Sequence, residues 1–309
     1  MKKNRCVVLG SSGFIGGYLV RELIKNDFPV VAVGRNAERL KKGLSHLENK
    51  VEFRVCDFLD TKKNVYYLKK NDIVFDLITS SVPATSVKEP IKEITNNIAP
   101  HADFFMQACE KQVGRVIFTS SGGSIYGDLG TRPFLETDLP NPQSPHAIGK
   151  LATEYFLKYF CKSSQIPHTI FRISNPFGEG QQKIDGFGVI PTFLEKVKKN
   201  SPPILFNKGN LLRDFIHIQD VVEAMVLSLT KHNNYSIYNI GSGQGLTIKE
   251  VWDIIKETSG SDLSPIFTEG RPFDVKEIVL DISRFSEEFS WRPRFDIKKS
   301  LKKLAGFPS

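Results

Sequence analysis

Through the first 175 residues, short β-branched runs alternate with longer segments whose apolar residues recur every three or four positions. The runs at 5–9, 29–33, 51–55, 73–78 and 115–119 read as strands. Between them, 14–25, 61–70 and a long stretch of about 90–112 read as helices, and a helix at 145–162 followed by a strand at 168–173 continues the series. Strand, helix, strand repeated in this way predicts right-handed crossovers and an α/β fold: a Rossmann-type, doubly wound parallel sheet with helices on both faces. After Asn175 the pattern changes. Pro and Gly become frequent, as in Asn175-Pro-Phe-Gly-Glu-Gly180 and Lys199-Asn-Ser-Pro-Pro203, and the elements shorten. The chain is therefore divided into a doubly wound domain at 1–175 and a smaller α/β lobe at 176–309. The lobe is expected to cover the carboxyl edge of the sheet, where such folds bind ligands. A strand-to-helix pattern near 215–240 predicts that the chain returns to the core there.

Composition narrows the class. The 309 residues are 40% hydrophobic and 25% charged, the balance of a globular protein with a sizeable core. The apolar run behind the basic start ends at Gly10, too short for a signal peptide core or a membrane span. Cys6, Cys56, Cys109 and Cys161 lie far apart without Cys-x-x-Cys or clustered histidines, so buried thiols in a reducing cytoplasm are expected, with no metal. The net charge of +8 raises nucleic acid as a partner. The lysines are scattered or gathered at the end (Lys298, Lys299, Lys302, Lys303), without aromatic residues interleaved to stack bases, so no nucleic acid is expected. A pyrophosphate-bearing ligand accounts for the excess equally well.

Candidate chemistry begins at Gly10-Ser-Ser-Gly13-Phe14-Ile15-Gly16, which follows the first strand and opens the first helix. Such glycines permit a tight turn and close backbone approach, and the helix N-terminus attracts phosphates. The second strand ends in Val33-Gly34-Arg35-Asn36, without the acid that usually binds the adenosine ribose. Arg35 suits a 2′-phosphate or the adenine face, so the residues by themselves leave both NAD and NADP open. Farther along stand Phe118-Thr-Ser-Ser121-Gly-Gly-Ser124-Ile-Tyr126-Gly127 and Ser144-Pro-His146-Ala-Ile-Gly-Lys150. His146 and Lys150 are four apart and share a helix face.

These motifs resemble the extended short-chain dehydrogenase/reductase family, whose nucleotide-sugar epimerases carry Tyr-x-x-x-Lys where this chain has His146 and Lys150. The resemblance spans about 290 residues and implies a nucleotide-sugar 4-epimerase, with a UDP-sugar favoured, acting through bound NAD. It makes Ser121, with Ser124 as partner, the Ser/Thr beside the acid/base, and Lys150 the group that contacts the nicotinamide ribose. It places Asp57 and Phe58 of Val55-Cys-Asp-Phe-Leu-Asp60, Thr79 and Asn97 at the cofactor. Arg172-Ile-Ser-Asn175 matches the family's Arg-x-x-Asn, Leu212-Arg213-Asp-Phe its Arg-Asp-Phe, and Arg271-Pro-Phe-Asp274 its Arg-x-x-Asp. These imply Asn175, Arg213 and Arg271 on the diphosphate and Asp274 on the nucleoside ribose. Phe206, in Ile204-Leu-Phe206, suggests a uracil or thymine slot. The family's Thr-Asp-Glu run is missing at Ser121, which argues against a 4,6-dehydratase. The helices near 90–112 and 145–162 are those with which relatives dimerise, so a homodimer is expected.

The histidine leaves three readings open: a direct or relayed acid/base at residue 146, a base elsewhere with Tyr126 nearest, or a site that binds without catalysis. A one-way NDP-sugar oxidoreductase also stays open. An imidazole reaches about 2 Å less far from its Cα than a phenol oxygen, and displacement of that order costs about 100-fold. If His146 is the base, the rate is expected to fall between about pH 8 and 5 as it protonates.

Overall fold

The computed structural model describes residues 3–47, 49–60, 65–128, 130, 133–183, 186 and 188–306, without the side chain of residue 46. The first strands are β1 (Cys6–Leu9), β2 (Val30–Gly34), β3 (Val51–Val55) and β4 (Ile73–Asp76), with helices α1 (Phe14–Lys25) and α2 (Ala37–Leu44) between them. Next come α3 (Pro83–Lys88), α4 (Pro90–Glu93), a π-turn at Ile94–Ile98 and α5 (Ala99–Glu110). They lead to β5 (Arg115–Ser121), α6 (Gly122–Ile125), α7 (Pro145–Ser163) and β6 (His168–Ile173). The second half carries β7 (Asn175–Phe177), α8 (Val189–Lys198), β8 (Ile204–Phe206), β9 (Leu212–His217) and α9 (Ile218–Leu227). It ends with β10 (Ile237–Ile240), β11 (Gly245–Thr247), α10 (Ile248–Ser259), β12 (Ile266–Thr268), β13 (Glu277–Ile278), α11 (Ser283–Phe289) and α12 (Ile297–Gly306).

Seven strands form one wholly parallel sheet in the order β10-β6-β5-β4-β1-β2-β3. The reversal of strand order between β1 and β4 is the crevice where a doubly wound sheet accepts a dinucleotide. One face packs Leu19, Val20 and Leu23 of α1 and Val221, Val222 and Met225 of α9. The other packs Phe104, Phe105 and Ala108 of α5 and Leu157 and Cys161 of α7. Buried on both sides, these strands read as unbroken apolar runs. The strand-and-helix pattern near 215–240 returns to this core: α9 lies on α1, and β10 extends the sheet beside β6.

The remaining elements surround a second core of Phe177, Phe193, Leu205, Phe215, Trp252 and Leu301. There β9 pairs with β7, β11 and β13, and β8 pairs with β12. Asp214 of β9 fastens this lobe. Its fully buried carboxylate accepts hydrogen bonds from Ser242 N (2.8 Å), Ser242 Oγ (2.8 Å) and Leu280 N (3.2 Å).

Two helical expectations change. The helix expected at 61–70 is absent from 65–70, which forms successive turns (residues 61–64 lie outside the described ones). Val65, Tyr67 and Leu68 are buried there, so an apolar spacing that imitates a helix arises from side chains entering the core from turns. The helix expected at 90–112 is broken by the π-turn, where Ala99 N reaches back five residues to Ile94 O. Pro100 follows immediately; a proline lacks the N–H of an ordinary helical bond and crowds the carbonyl four residues earlier, and an extra residue in the turn relieves both. The turn carries Asn97 into the site.

Candidate active site

The glycine turn behaves as its spacing predicts. Gly10 has φ +78°, and a Cβ on Gly16 would stand 2.2 Å from the Gly10 carbonyl oxygen. Helix α1 starts at Phe14 with Gly13 as N-cap and no side chain closing its end. The first N–H groups of α1, those of Phe14 and Ile15 included, are therefore unclaimed by a capping side chain, and the helix dipole favours a phosphate there. Arg35 is exposed just past β2, and Asp57 is exposed past β3, where its Oδ1 accepts Leu59 N at 3.1 Å. Phe58 instead buries its ring against His101 and Phe104, centroids 4.7 and 5.4 Å apart. Thr79, exposed past β4, donates to Ser81 O at 3.2 Å. Asn97 is buried, and its Oδ1 accepts the N–H of Ser80 at 2.9 Å. Apart from Phe58, whose ring enters the core rather than facing a ligand, these residues gather along the carboxyl ends of β1 to β4, and together they fit a bound dinucleotide.

Helix α7 brings the polar pair to the same edge. Ser144 caps it by accepting Ala147 N (3.3 Å), and Pro145 occupies the first helical position, where the missing N–H costs nothing. The N–H of His146 is satisfied by Ser86 Oγ of α3 at 3.0 Å. One turn later, Lys150 passes between the sheet and the helix. Its Nζ donates to Thr119 O (3.0 Å) and Ile78 O (3.4 Å) and sits 4.7 Å over the Phe118 ring. Burial lowers the Lys150 ammonium to about 8, against the pull of Asp76, Glu93 and Glu154. Burial, with the neighbouring Lys150 charge, lowers His146 to about 3. The imidazole is neutral across the physiological range, and its Nδ1 is 2.9 Å from Ser81 Oγ. The acid-side rate loss expected from protonation of His146 is therefore corrected: that protonation lies below the window.

Ser121 closes β5 and receives a hydrogen bond from Ser124 Oγ at 2.8 Å. Both serines and His146 line one cavity of about 290 Å³. Tyr126, the nearest alternative base, points elsewhere. It is fully buried, stacks on Phe134, donates to Asn239 Oδ1 (2.6 Å) and accepts from Arg172 Nη1 (3.1 Å). Arg172 in turn forms a buried two-pronged pair with Glu154, so this cluster joins α7 to β6 and leaves the cavity to the imidazole.

The opposite end of the cavity is cationic. Asn175, Phe206, Arg213, Arg271 and Asp274 all line it. Asn175 Nδ2 donates to Asp214 O at 2.9 Å, anchoring its side chain. The Arg213 guanidinium donates to the carbonyls of Leu212 (2.8 Å) and Lys276 (3.3 Å), and desolvation lowers it to about 10. Arg271 lies between Phe206 and Phe273, 4.5 and 4.8 Å from their ring centroids, and pairs with both oxygens of Asp274 at 2.7 and 2.9 Å. The two residues assigned to separate parts of a ligand thus hold each other, which fixes the Arg271 fork over the aromatic slot.

Two residues at the imidazole end escaped the motif reading: Ser81, seen only as part of Thr79-Ser-Ser81, and Glu93. One signal pointed to Glu93. Gly149 lies inside α7, where glycine costs about 1 kcal/mol relative to alanine. A Cβ there would stand 2.2 Å from Glu93 Oε1.

Residues 6–241 match the model of the NAD dependent epimerase/dehydratase family. The chain is 32% identical over 309 residues to the dTDP-4-dehydro-6-deoxyglucose reductase of Escherichia coli, covering 98% of this chain and 97% of that protein. It is 28% identical over 307 residues to a UDP-glucose 4-epimerase of Mycolicibacterium smegmatis, covering 98% of each. Among solved structures, the UDP-glucose 4-epimerase of Thermotoga maritima with UDP-glucose superposes with a TM-score of 0.89 at 30% identity, covering 97% of each chain.

Proposed function

The chain belongs to the NAD dependent epimerase/dehydratase family, and from that premise we propose that it is a nucleotide-sugar 4-epimerase acting on a UDP-hexose, with His146 as its acid/base. One observation carries this reading: a single cavity holds a neutral imidazole with two serines at one end and two arginines with an aromatic slot at the other. Arg213, desolvated and, among the described residues, bonded by its side chain only to backbone carbonyls, suits a diphosphate, because charge-assisted bonds repay a buried cation far better than neutral ones. Arg271 joins Arg213 on the diphosphate, the Phe206 ring lies at the base, and Asp274 meets the ribose. At the other end, Ser121 and Ser124 hold the C4 hydroxyl and His146 Nε2 takes its proton.

Bound NAD supplies the hydride acceptor and donor needed to invert C4. Lys150 orients it from beside Thr119 and Ile78, while the open α1 terminus takes the pyrophosphate. Arg35, which has no carboxylate partner among the hydrogen bonds of the described residues, lies over the adenine. The cofactor stays bound through the cycle.

A one-way reduction or oxidation of an NDP-sugar is the second reading, favoured by the near full-length similarity to the Escherichia coli reductase. Proton NMR of wild-type and His146→Ala protein with UDP-, dTDP- and GDP-sugars, with and without NAD, separates the two. The epimerase reading expects a C4 epimer without added cofactor and none from the alanine variant. Conversion that consumes cofactor establishes the oxidoreductase. Ligand binding without a new sugar leaves a protein that only binds.

The assembly is a homodimer in this reading. Ile91 and Ile94 of the α4–α5 arm and Ile148, Tyr155 and Tyr159 of α7 are each more than half exposed. The α7 residues are spaced seven and four apart, which draws one apolar stripe along the helix. A second copy of the same two helices covers it. Light scattering of Tyr155→Asp/Tyr159→Asp protein is expected to report a monomer.

A further inference from the structure

An enzyme built on His146 must place the proton it removes. The imidazole lies 7% exposed beside the Lys150 ammonium, surroundings in which a second charge on the ring is strongly disfavoured. Behind it stands a connected set of polar groups, of which Ser81 and Glu93 have no place in the scheme so far. Ser81 Oγ lies 2.9 Å from His146 Nδ1 and donates to Glu93 Oε2 at 2.5 Å. Asn97 Nδ2 donates to the other oxygen, Glu93 Oε1, at 3.0 Å. Asn97 cannot turn over without loss, because its Oδ1 already accepts Ser80 N and Ser80 Oγ. The Glu93 carboxyl occupies the space that Gly149 leaves open against α7, and it is 4% exposed.

We propose that Ser81 and Glu93 form a proton relay behind His146, so that the sugar's proton comes to rest on Glu93 while the imidazole stays neutral. The proposal rests on the reading of His146 as acid/base and extends it to two residues that never touch the sugar. At rest Glu93 is a carboxylate, Ser81 spends its proton on Glu93, and His146 therefore donates Nδ1–H to Ser81 Oγ. The lone pair of Nε2 then faces the cavity. In the step, the sugar O–H bond breaks and Nε2–H forms. As it does so, Nδ1–H breaks and a Ser81 O–H forms, while the original Ser81 O–H breaks and Glu93 Oε2–H forms. One proton has moved from sugar to Glu93, and the imidazole has exchanged one tautomer for the other. Bound NAD would take the electron pair of the C–H bond as hydride, and the return step would reverse each transfer.

The surroundings suit a carboxyl that must exist in both states. Desolvation raises Glu93 above the ordinary carboxylate range, while the Ser81 bond, the Lys150 charge from α7, the Asn97 bond and His101 of α5 pull it back. His101 is itself occupied, its Nδ1 on Asn97 O at 2.6 Å and its Nε2 3.3 Å from Asp76 of β4. Ser81 and Glu93 are thus positioning and relay residues, acting through His146.

The test reads the imidazole directly, by 15N NMR of NAD-loaded protein without sugar. Wild type is expected to show a protonated Nδ1 and a bare Nε2. In Glu93→Gln the amide oxygen is held by Asn97, so the amide N–H donates to Ser81. Ser81 then donates to Nδ1, and the tautomer flips to Nε2–H. Turnover is expected to fall by about 100-fold with KM within about twofold, and Ser81→Ala is expected to lose a similar factor. Because both variants cut one chain, the double variant is expected to be no slower than the worse single. An unchanged tautomer in Glu93→Gln, or losses that multiply in the double variant, overturns the relay. If wild type converts no sugar, the epimerase reading fails on its own terms, and the tautomer measurement still decides whether Glu93 controls His146.

Discussion

The two ends of the cavity handle charge in opposite ways. At the imidazole end, His146, Ser81, Glu93 and Asn97 are buried or half-buried, each bonded to the next, and the ring is neutral. At the arginine end, among the described residues, the Arg213 side chain is bonded only to backbone carbonyls and Arg271 has a single carboxylate partner. The first end satisfies itself internally and offers one lone pair to the cavity. The second leaves positive charge under-compensated, as a receptor for an anion must. A closed polar network suits moving a proton, whereas an open cationic one suits binding a diphosphate. The two functions are accordingly expected to fail separately.

The largest expected effect separates them at once. His146→Ala is expected to lower kcat by about 100-fold or more while UDP affinity, read by calorimetry, changes little. Next in size, Arg213→Ala is expected to weaken UDP binding by about 10- to 100-fold, the value of charge-assisted hydrogen bonds. A variant that loses both properties at either end would erase the distinction. His146→Tyr sharpens it further: the phenol overshoots the Ser81 contact, so turnover is expected to fall, whereas a decayed site would gain activity from the restored residue.

Acid tests the same end through stability. His146 is near 3 in the folded protein against 6.5 unfolded, so between these values the unfolded chain binds more protons. Stability is therefore lost as pH falls from about 6.5 toward 3. The urea midpoint of wild type is expected to drop more than that of His146→Asn between pH 7 and 5. On the alkaline side, kcat is expected to decline above about pH 8 as Lys150 loses its charge. The smallest effect is expected at Tyr126→Phe: Arg172 and Asn239 lose a buried partner, costing about 1–3 kcal/mol of stability, while kcat stays within a few-fold. A collapse of kcat there would return Tyr126 to candidacy as the base.

Much of this molecule was legible as text because its signals are local. The glycine turn, the β-branched runs and the Ser144-Pro145 helix start are each encoded within a few residues, and each appears where the spacing put it. The segment at 65–70 was misread because burial from turns can mimic helical spacing over a short stretch. The break near Pro100 was written in the sequence, but its outcome depends on how the π-turn packs Asn97 against Ser80. Ser121 and Ser124, named from a motif, line the cavity, whereas Glu93 carries no such signal, since a carboxylate in an apparently amphipathic helix looks like solvated surface.

The sequence by itself determined the α/β order, the glycine turn before α1 and the placing of His146 and Lys150 on one helix face, because periodicity and short motifs depend only on neighbours along the chain. The tertiary structure alone decided what that histidine is bonded to. Ser81, Glu93 and His146 come from three separate segments, brought together by helix α7 crossing the carboxyl ends of β4 and β5. Hydrogen bonds between distant segments follow no period along the chain; they exist only once packing has brought the side chains within reach and removed the water that would otherwise compete for them.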